Sequence, residues 1–304
     1  MRALPGSAAR VSGIDLLLIL LVTVSWGLNY PIMKFVVTSY PPSTFRALTF
    51  LLGTLAIGLY ALTKNEKLLI PRAELWLVFK LSLGNMVFWH LGLIYGLVYL
   101  SSGRAAIIGY TMPVWALLAS LVFYKEAMTW PALAGVILAL SATLLLAVGD
   151  ASNLVNQPLG IALMLFAALT WGIGIAMMKN ARLSINNVVL NFWNLLIAFF
   201  IFAALALAFE RDVWRWPLTL EWLAILYGGL VTFAISYVAW FRVARKLSPA
   251  TSGLSIMLVP VFGVFGGSLV LGEVIAWTDI SALLLILLAM AVVLVPARSR
   301  SHGQ

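Results

Sequence analysis

Apolar residues in this chain fall into ten long blocks, at 14–36, 43–62, 74–97, 102–123, 130–148, 158–178, 188–209, 219–240, 250–271 and 278–295. Each approaches the ~20 residues needed to cross the hydrocarbon layer of a bilayer. Polar and turn-forming residues gather in the short connectors, as in Gly149-Asp150-Ala151-Ser152-Asn153. Inside a membrane every backbone N–H and C=O must be satisfied by the protein itself, so blocks of this length predict helices. The ~10-residue alternating segments of a membrane barrel are absent. The pattern therefore predicts an all-α integral membrane protein of ten transmembrane helices.

The blocks also repeat. Leu100-Ser101, Pro113, Glu126 and Trp130 return as Leu247-Ser248, Pro260, Glu273 and Trp277, each pair separated by 147 residues. Trp26-Gly27 and Lys34 return as Trp171-Gly172 and Lys179, separated by 145. The chain thus reads as two units, 1–150 and 151–304, of five helices each. Because five is odd, the second unit enters the membrane from the opposite side, which makes the two an inverted repeat.

Composition supports this reading: 63% of the residues are hydrophobic and only 10% charged, too few charges to solvate a soluble surface of 304 residues. The formal net charge of +9 raises the question of nucleic acid. Its placement answers otherwise. With the N-terminus in the cytoplasm, 14 Lys and Arg fall on the inner side and 5 on the outer, as the positive-inside rule requires. Both termini are then cytoplasmic, and no anionic partner is needed. The first block is longer than a signal-peptide core and lacks a small-residue cleavage site, so it is expected to stay as a helix.

These residues carry a family resemblance. Trp26-Gly27-Leu28-Asn29, Lys34, Pro113, Glu126 and Gly135, with Trp171-Gly172, Lys179, Pro260 and Leu271-Gly272-Glu273, resemble the drug/metabolite transporter superfamily in its ten-helix form, built from two EamA-type repeats. One departure is in the second block, where the family's deeper Arg-Phe pair is replaced by Thr49-Phe50 and the arginine, Arg46, stands one turn earlier. The resemblance implies an exporter of small metabolites in a bacterial inner membrane. Overall likeness is greatest to the bacterial aromatic amino-acid exporters. It also implies that helices 1, 3, 4, 6, 8 and 9 surround the cargo.

Polar groups inside a membrane normally face a cavity or a packed interior. Gly229, Thr232, Ser236 and Trp240 lie along one face of the eighth block at helical spacing. The repeat maps the first three onto Ser82, Asn85 and Trp89. Both faces are read as cavity walls, against the alternative that small and hydroxylated residues simply join helices. His90, the one histidine within a block, maps onto Tyr237. Trp26 and Asn29 share a face of the first block, and Trp171 is the repeat partner of Trp26. Tyr95, Tyr110, Trp115, Asn191 and Trp193 complete the candidate set. Flat aromatic walls with a few dipoles suit an amino acid, since ring faces also attract an ammonium group. Pro113 and Pro260 interrupt the helical ladder and are candidate hinges or fixed kinks. Glu126 and Glu273 fall at block ends, where a structural role is favoured over proton coupling. The blocks hold no acid in their middle, so facilitated diffusion or exchange is expected.

Other classes fit less well. There is no HExxH motif, no GxSxG elbow and no pair of buried carboxylates, and no cysteine. Neither a cofactor, a metal site nor catalysis is expected. A channel would need a filter loop or charged ring, for which the connectors are too short. The expected partners are a small-molecule substrate (an amino acid, or alternatively a nucleobase, cofactor precursor or drug) and the lipid bilayer. The fifth and tenth blocks, the most uniformly apolar, are expected to face lipid or a second subunit, which leaves monomer and homodimer open.

Overall fold

The computed structural model describes residues 12–125, 128–148, 157–244 and 256–294. Glu126 and the junction at 149–153 lie outside the described residues, as does the repeated Leu247-Ser248. Ten helical segments follow the ten apolar blocks: α1 Gly13–Val37, α2 Pro42–Thr63, α3 Leu75–Tyr99, α4 Ser102–Tyr124, α5 Trp130–Val148, α6 Gln157–Asn180, α7 Asn187–Phe209, α8 Thr219–Val243, α9 Val259–Leu271 and α10 Trp277–Leu294. No strand occurs among the described residues. Among the described residues eight helices are long and apolar enough to span, and the described parts of α9 and α10 are shorter apolar helices. We call the face where α1 begins the near side and the face where it ends the far side.

Packing follows the repeat. Helices α2 and α7, α4 and α9, and α5 and α10 pack against their own counterparts. The pairing of α3 with α6 is matched by that of α8 with α1, and α1 with α9 by α6 with α4. Each helix therefore exchanges with the one five places on, as a two-fold axis lying in the membrane plane demands. The two units form ten transmembrane helices in two five-helix inverted repeats.

Two glycines show why the pairs approach so closely. A Cβ on Gly27 of α1 would collide with the Phe262 side chain and lie 2.9 Å from the Val259 carbonyl of α9. A Cβ on Gly172 of α6 would lie 2.6 Å from both the Ala116 nitrogen and the Trp115 side chain of α4. Close approach of this kind is how helices associate in lipid, where no hydrophobic difference drives them together. Helices α5 and α10 pack on each other through Ala139, Ala142, Ala282, Ile286 and Ala289 and turn Leu140, Leu144, Leu284 and Leu288 outward.

Acidic side chains finish the helix starts. Asp15 and Ser12 form a capping box on α1. Glu210 accepts from the Ser43 and Thr44 backbone N–H groups at the start of α2, at 2.8 and 2.7 Å. Glu273 accepts from Ser102 and Gly103 at the start of α4. These N–H groups have no intrahelical acceptor, and a carboxylate there also meets the positive end of the helix dipole. The structural reading of Glu273 at a helix end agrees with this arrangement. Arg104 and Asp279 form a buried ion pair at 2.8 Å that joins α4 to α10.

Among the described residues, helix irregularities fall at repeat-matched places. Helix α3 passes through a π segment, Leu83–Phe88, and α8 through another, Tyr227–Ile235. Helix α4 breaks at Tyr110 and Thr111, so that Pro113 becomes the second residue of the half-helix Met112–Tyr124. Pro260 holds the same place in Val259–Leu271. Proline is tolerated there because its missing N–H lacks an intrahelical acceptor anyway.

Candidate functional site

The site is a cavity of about 80 Å³ between the two units. Helix α1 contributes Trp26, Asn29, Tyr30 and Met33, and α3 contributes Trp89, His90 and Leu93. Tyr110 and Met112 come from the break in α4, Trp171 from α6, and Thr232, Phe233 and Tyr237 from α8. Larger grooves of about 560 and 510 Å³ lie elsewhere, one at the far end beside Trp214, Arg215 and Trp216, one between α1, α2 and α8. Their linings are chiefly apolar flank, whereas the small cavity gathers an imidazole, an amide, several hydroxyls and a set of tilted aromatic rings. A ligand site is marked by a few convergent polar groups in an apolar setting, so the small cavity is the candidate. At this size it holds a few waters rather than an aromatic cargo, so the walls must part to admit one.

The rings form one connected cluster. Trp26 lies 5.5 Å from Tyr237 and 5.9 Å from Trp240, and Trp89 lies 5.1 Å from Trp171. His90 meets Phe50 edge-on at 5.1 Å and Phe233 at 5.4 Å. Tilted and edge-on arrangements suit the ring quadrupoles.

The π segments shape the polar part. The His90 Nδ1 stands 2.8 Å from the carbonyl of Met86, inside the irregular stretch. A carbonyl only accepts, so Nδ1 carries the proton in the neutral ring and Nε2 is left as the accepting atom. Trp26 Nε1 donates to the Thr232 carbonyl at 3.4 Å, and the Tyr227 hydroxyl donates to the Ser25 carbonyl at 2.9 Å. Asn29 Oδ1 and Thr232 Oγ1 are buried without a hydrogen-bond partner. Unpaired buried polar atoms are costly and rare in finished packing.

Of the residues expected from sequence, Trp26, Asn29, Trp89, His90, Tyr110, Trp171, Thr232 and Tyr237 line the cavity. Others stand elsewhere. Asn85 is pressed against Gly174 of α6, where a Cβ would meet its side-chain oxygen. Ser236 turns to α1, its hydroxyl 2.5 Å from that of Ser25. Trp240 backs Trp26 from outside the lining. Trp115 donates to Thr111 and packs on Gly172. The Tyr95 hydroxyl is 2.7 Å from that of Ser43, near Glu210 on the far side. Trp193 donates to the Leu68 carbonyl in the connector before α3. Asn191 is buried on α7 with both amide atoms unpartnered. The reason Thr232 and Ser236 part company is the π segment. Its extra residue puts positions five apart, Thr232 and Tyr237, on the face that four-apart spacing assigns to Ser236.

Sequence reasoning missed Tyr30, Met33, Leu93, Met112 and Phe233 in the lining. Tyr30 and Met33 follow Trp26 by four and seven residues, so the helical period of α1 already pointed to them. Arg46 is a further missed residue: by sequence it is one of the five outer-side Lys and Arg residues. Its side chain is 0% exposed, among Phe45, Phe50 and Phe233 and in contact with Met33.

Beyond this geometry, residues 13–148 and 158–295 match the EamA-like transporter family. The chain belongs to that family. It is 27% identical over 273 residues to "Uncharacterized transporter YoaV" of Bacillus subtilis (strain 168), covering 88% of this chain and 92% of that one. It is 25% identical over 284 residues to "Probable amino-acid metabolite efflux pump" of Salmonella typhimurium, covering 90% and 92%. A protein of known crystal structure superposes with a TM-score of 0.67 at 20% identity, over 92% of this chain and 96% of its own, and shares the fold. This EamA-like chain is a multi-pass membrane transporter that handles a small molecule within the bilayer.

Proposed function

We propose that this EamA-like transporter exports amino acids, aromatic and other apolar ones preferred, across a bacterial inner membrane with both termini in the cytoplasm. The carrying observation is the cavity between the units, walled by Trp26, Trp89, Trp171 and Tyr237 and edged by His90, Asn29 and Thr232. Ring faces take the apolar side chain and attract an ammonium group, to which His90 Nε2, Asn29 Oδ1 and Thr232 Oγ1 offer acceptors. The two inverted units rock about this point in alternating access, and the turns before Pro113 and Pro260 absorb the change of angle. With no acid in the middle of the spans, cargo moves by facilitated diffusion or exchange.

The test is counterflow of labelled L-phenylalanine and L-leucine in liposomes containing the purified protein. Flux that saturates, that unlabelled aromatic amino acids suppress, and that falls in Trp26→Ala, His90→Ala and Trp171→Ala supports the reading. Undiminished flux in all three variants overturns the site, and absence of any amino-acid flux overturns the cargo.

A further inference from the structure

Arg46 presents an unsolved charge. It stands in α2 with no solvent exposure, and its Nε and Nη1 atoms have no hydrogen-bond partner. Its third nitrogen, Nη2, touches only the thioether sulfur of Met33. Among the described residues no carboxylate forms an ion pair with it. Three ring faces stand 5.5–5.7 Å from the guanidinium carbon. They compensate part of the charge but accept none of its five N–H groups in the plane of the fork. A cation in that position within a membrane is expensive and is normally paired.

Its neighbours connect it to the cavity. Met33 and Phe233 both belong to the cavity wall, and Phe50 stacks edge-on with His90 of the same wall. Met33 is also the acceptor for the Asn29 amide at 3.5 Å, so one weak sulfur serves two donors. A thioether is flexible and a poor acceptor. It occupies the position that a carboxylate oxygen would fill far better, since a guanidinium holds a carboxylate with two parallel charge-assisted hydrogen bonds.

We propose that Arg46 is the anion anchor of this transporter: a cargo carboxylate displaces the Met33 thioether and pairs with the guanidinium. The cargo supplies the negative charge that the protein lacks. This rests on the cavity being the cargo site and narrows its cargo to carboxylates, so an aromatic acid binds where its amide does not. The ammonium end then falls to Asn29 Oδ1, Thr232 Oγ1 and the rings, and contributes less than the acid end.

The experiment titrates purified protein with 3-phenylpropionate and, separately, 3-phenylpropionamide, reading the emission of the tryptophans that line the cavity. The two probes share shape and differ in charge. The acid is expected to bind at least about tenfold tighter, as hydrogen bonds to charged groups imply. Arg46→Gln should abolish that preference, and Arg46→Lys should keep a reduced one, because charge survives but the fork does not. Equal binding of the two probes by the unaltered protein, or binding of neither, overturns the anchor whatever the variants do. Phenylalanine counterflow separates the two readings. Acid preference without flux defeats the exporter and leaves the anchor; flux without acid preference does the reverse.

Discussion

Glu273 reaches from the connector after α9 to the first turn of α4, where its carboxylate accepts from the Ser102 backbone N–H at 2.8 Å and the Ser102 hydroxyl at 2.7 Å. The contact ties the second unit to the first across the far side. Gly272, with φ of 68°, sets the turn that aims the carboxylate. Lys125, with φ of 55°, holds the repeat-equivalent place before Glu126. Charge-assisted bonds to a helix start are worth more than neutral ones. Glu273→Gln should lower the unfolding free energy by about 1–3 kcal/mol, and Ser102→Ala by about 1 kcal/mol. Thermal unfolding in detergent followed by circular dichroism gives the comparison. A double variant no worse than Glu273→Gln alone is expected for groups that act as one contact. Unchanged midpoints would mean that the carboxylate adds nothing to the fold.

Trp26 and Trp171 hold equivalent places in the two repeats and line one cavity. Truncating either removes a large flat wall and a ring partner, Tyr237 for Trp26 and Trp89 for Trp171. Buried aromatic anchors commonly contribute 2 kcal/mol or more to binding. Each alanine variant should therefore weaken phenylalanine counterflow by about tenfold or more at subsaturating cargo. Trp130→Ala, at an 83% exposed ring, should leave it unchanged. Equal loss from the exposed ring would point to general damage rather than a wall.

Much of this architecture is legible in the sequence. Ten blocks at spanning length are a period and a count, and the 147-residue spacing of Pro113 to Pro260 already implied two units. Tertiary detail is not. Nothing in Thr232 to Tyr237 announces a π segment, because an extra residue in a turn changes no hydropathy. The stripe through Ser236 and Trp240 accordingly pointed past the cavity. Arg46 was hidden for another reason. A charge near a block end reads as a solvated outer residue, and only packing reveals that Phe45, Phe50 and Phe233 enclose it.

Proton coupling should be weak. The acids that do fall within the helices occupy first turns, as with Asp15, Glu221 and Asp279, where they serve as caps or ion-pair partners. A proton relay across the bilayer ordinarily needs an ionisable group near its middle. Among the described residues His90 is the one imidazole at that depth, beside an arginine, Arg46, that stays charged throughout, and its Nδ1–H is held by Met86. An imposed pH difference across proteoliposomes should not drive phenylalanine uphill, and a trapped pH dye should show no proton movement with cargo. Accumulation against a gradient under either polarity would contradict this.

The glycines that seat the helix pairs should be intolerant of a larger residue in both units. Valine at Gly27 meets Phe262 and the Val259 carbonyl, and valine at Gly172 meets the α4 backbone at Ala116. Backbone cannot step aside as a side-chain tip can, and overpacking a close interface costs about 1–3 kcal/mol. Gly172→Val should be the more damaging, since its nearest neighbours include main-chain nitrogen. Gly13→Val, where nothing stands within 4 Å of the added atom, serves as the control and should pay only the lower helix propensity of a branched residue. Detergent-extracted yield and midpoint of unfolding report the difference. If Gly27→Val and Gly13→Val behaved alike, α1 and α9 would not pack at the distance described, and the cavity that depends on that distance would have to be redrawn.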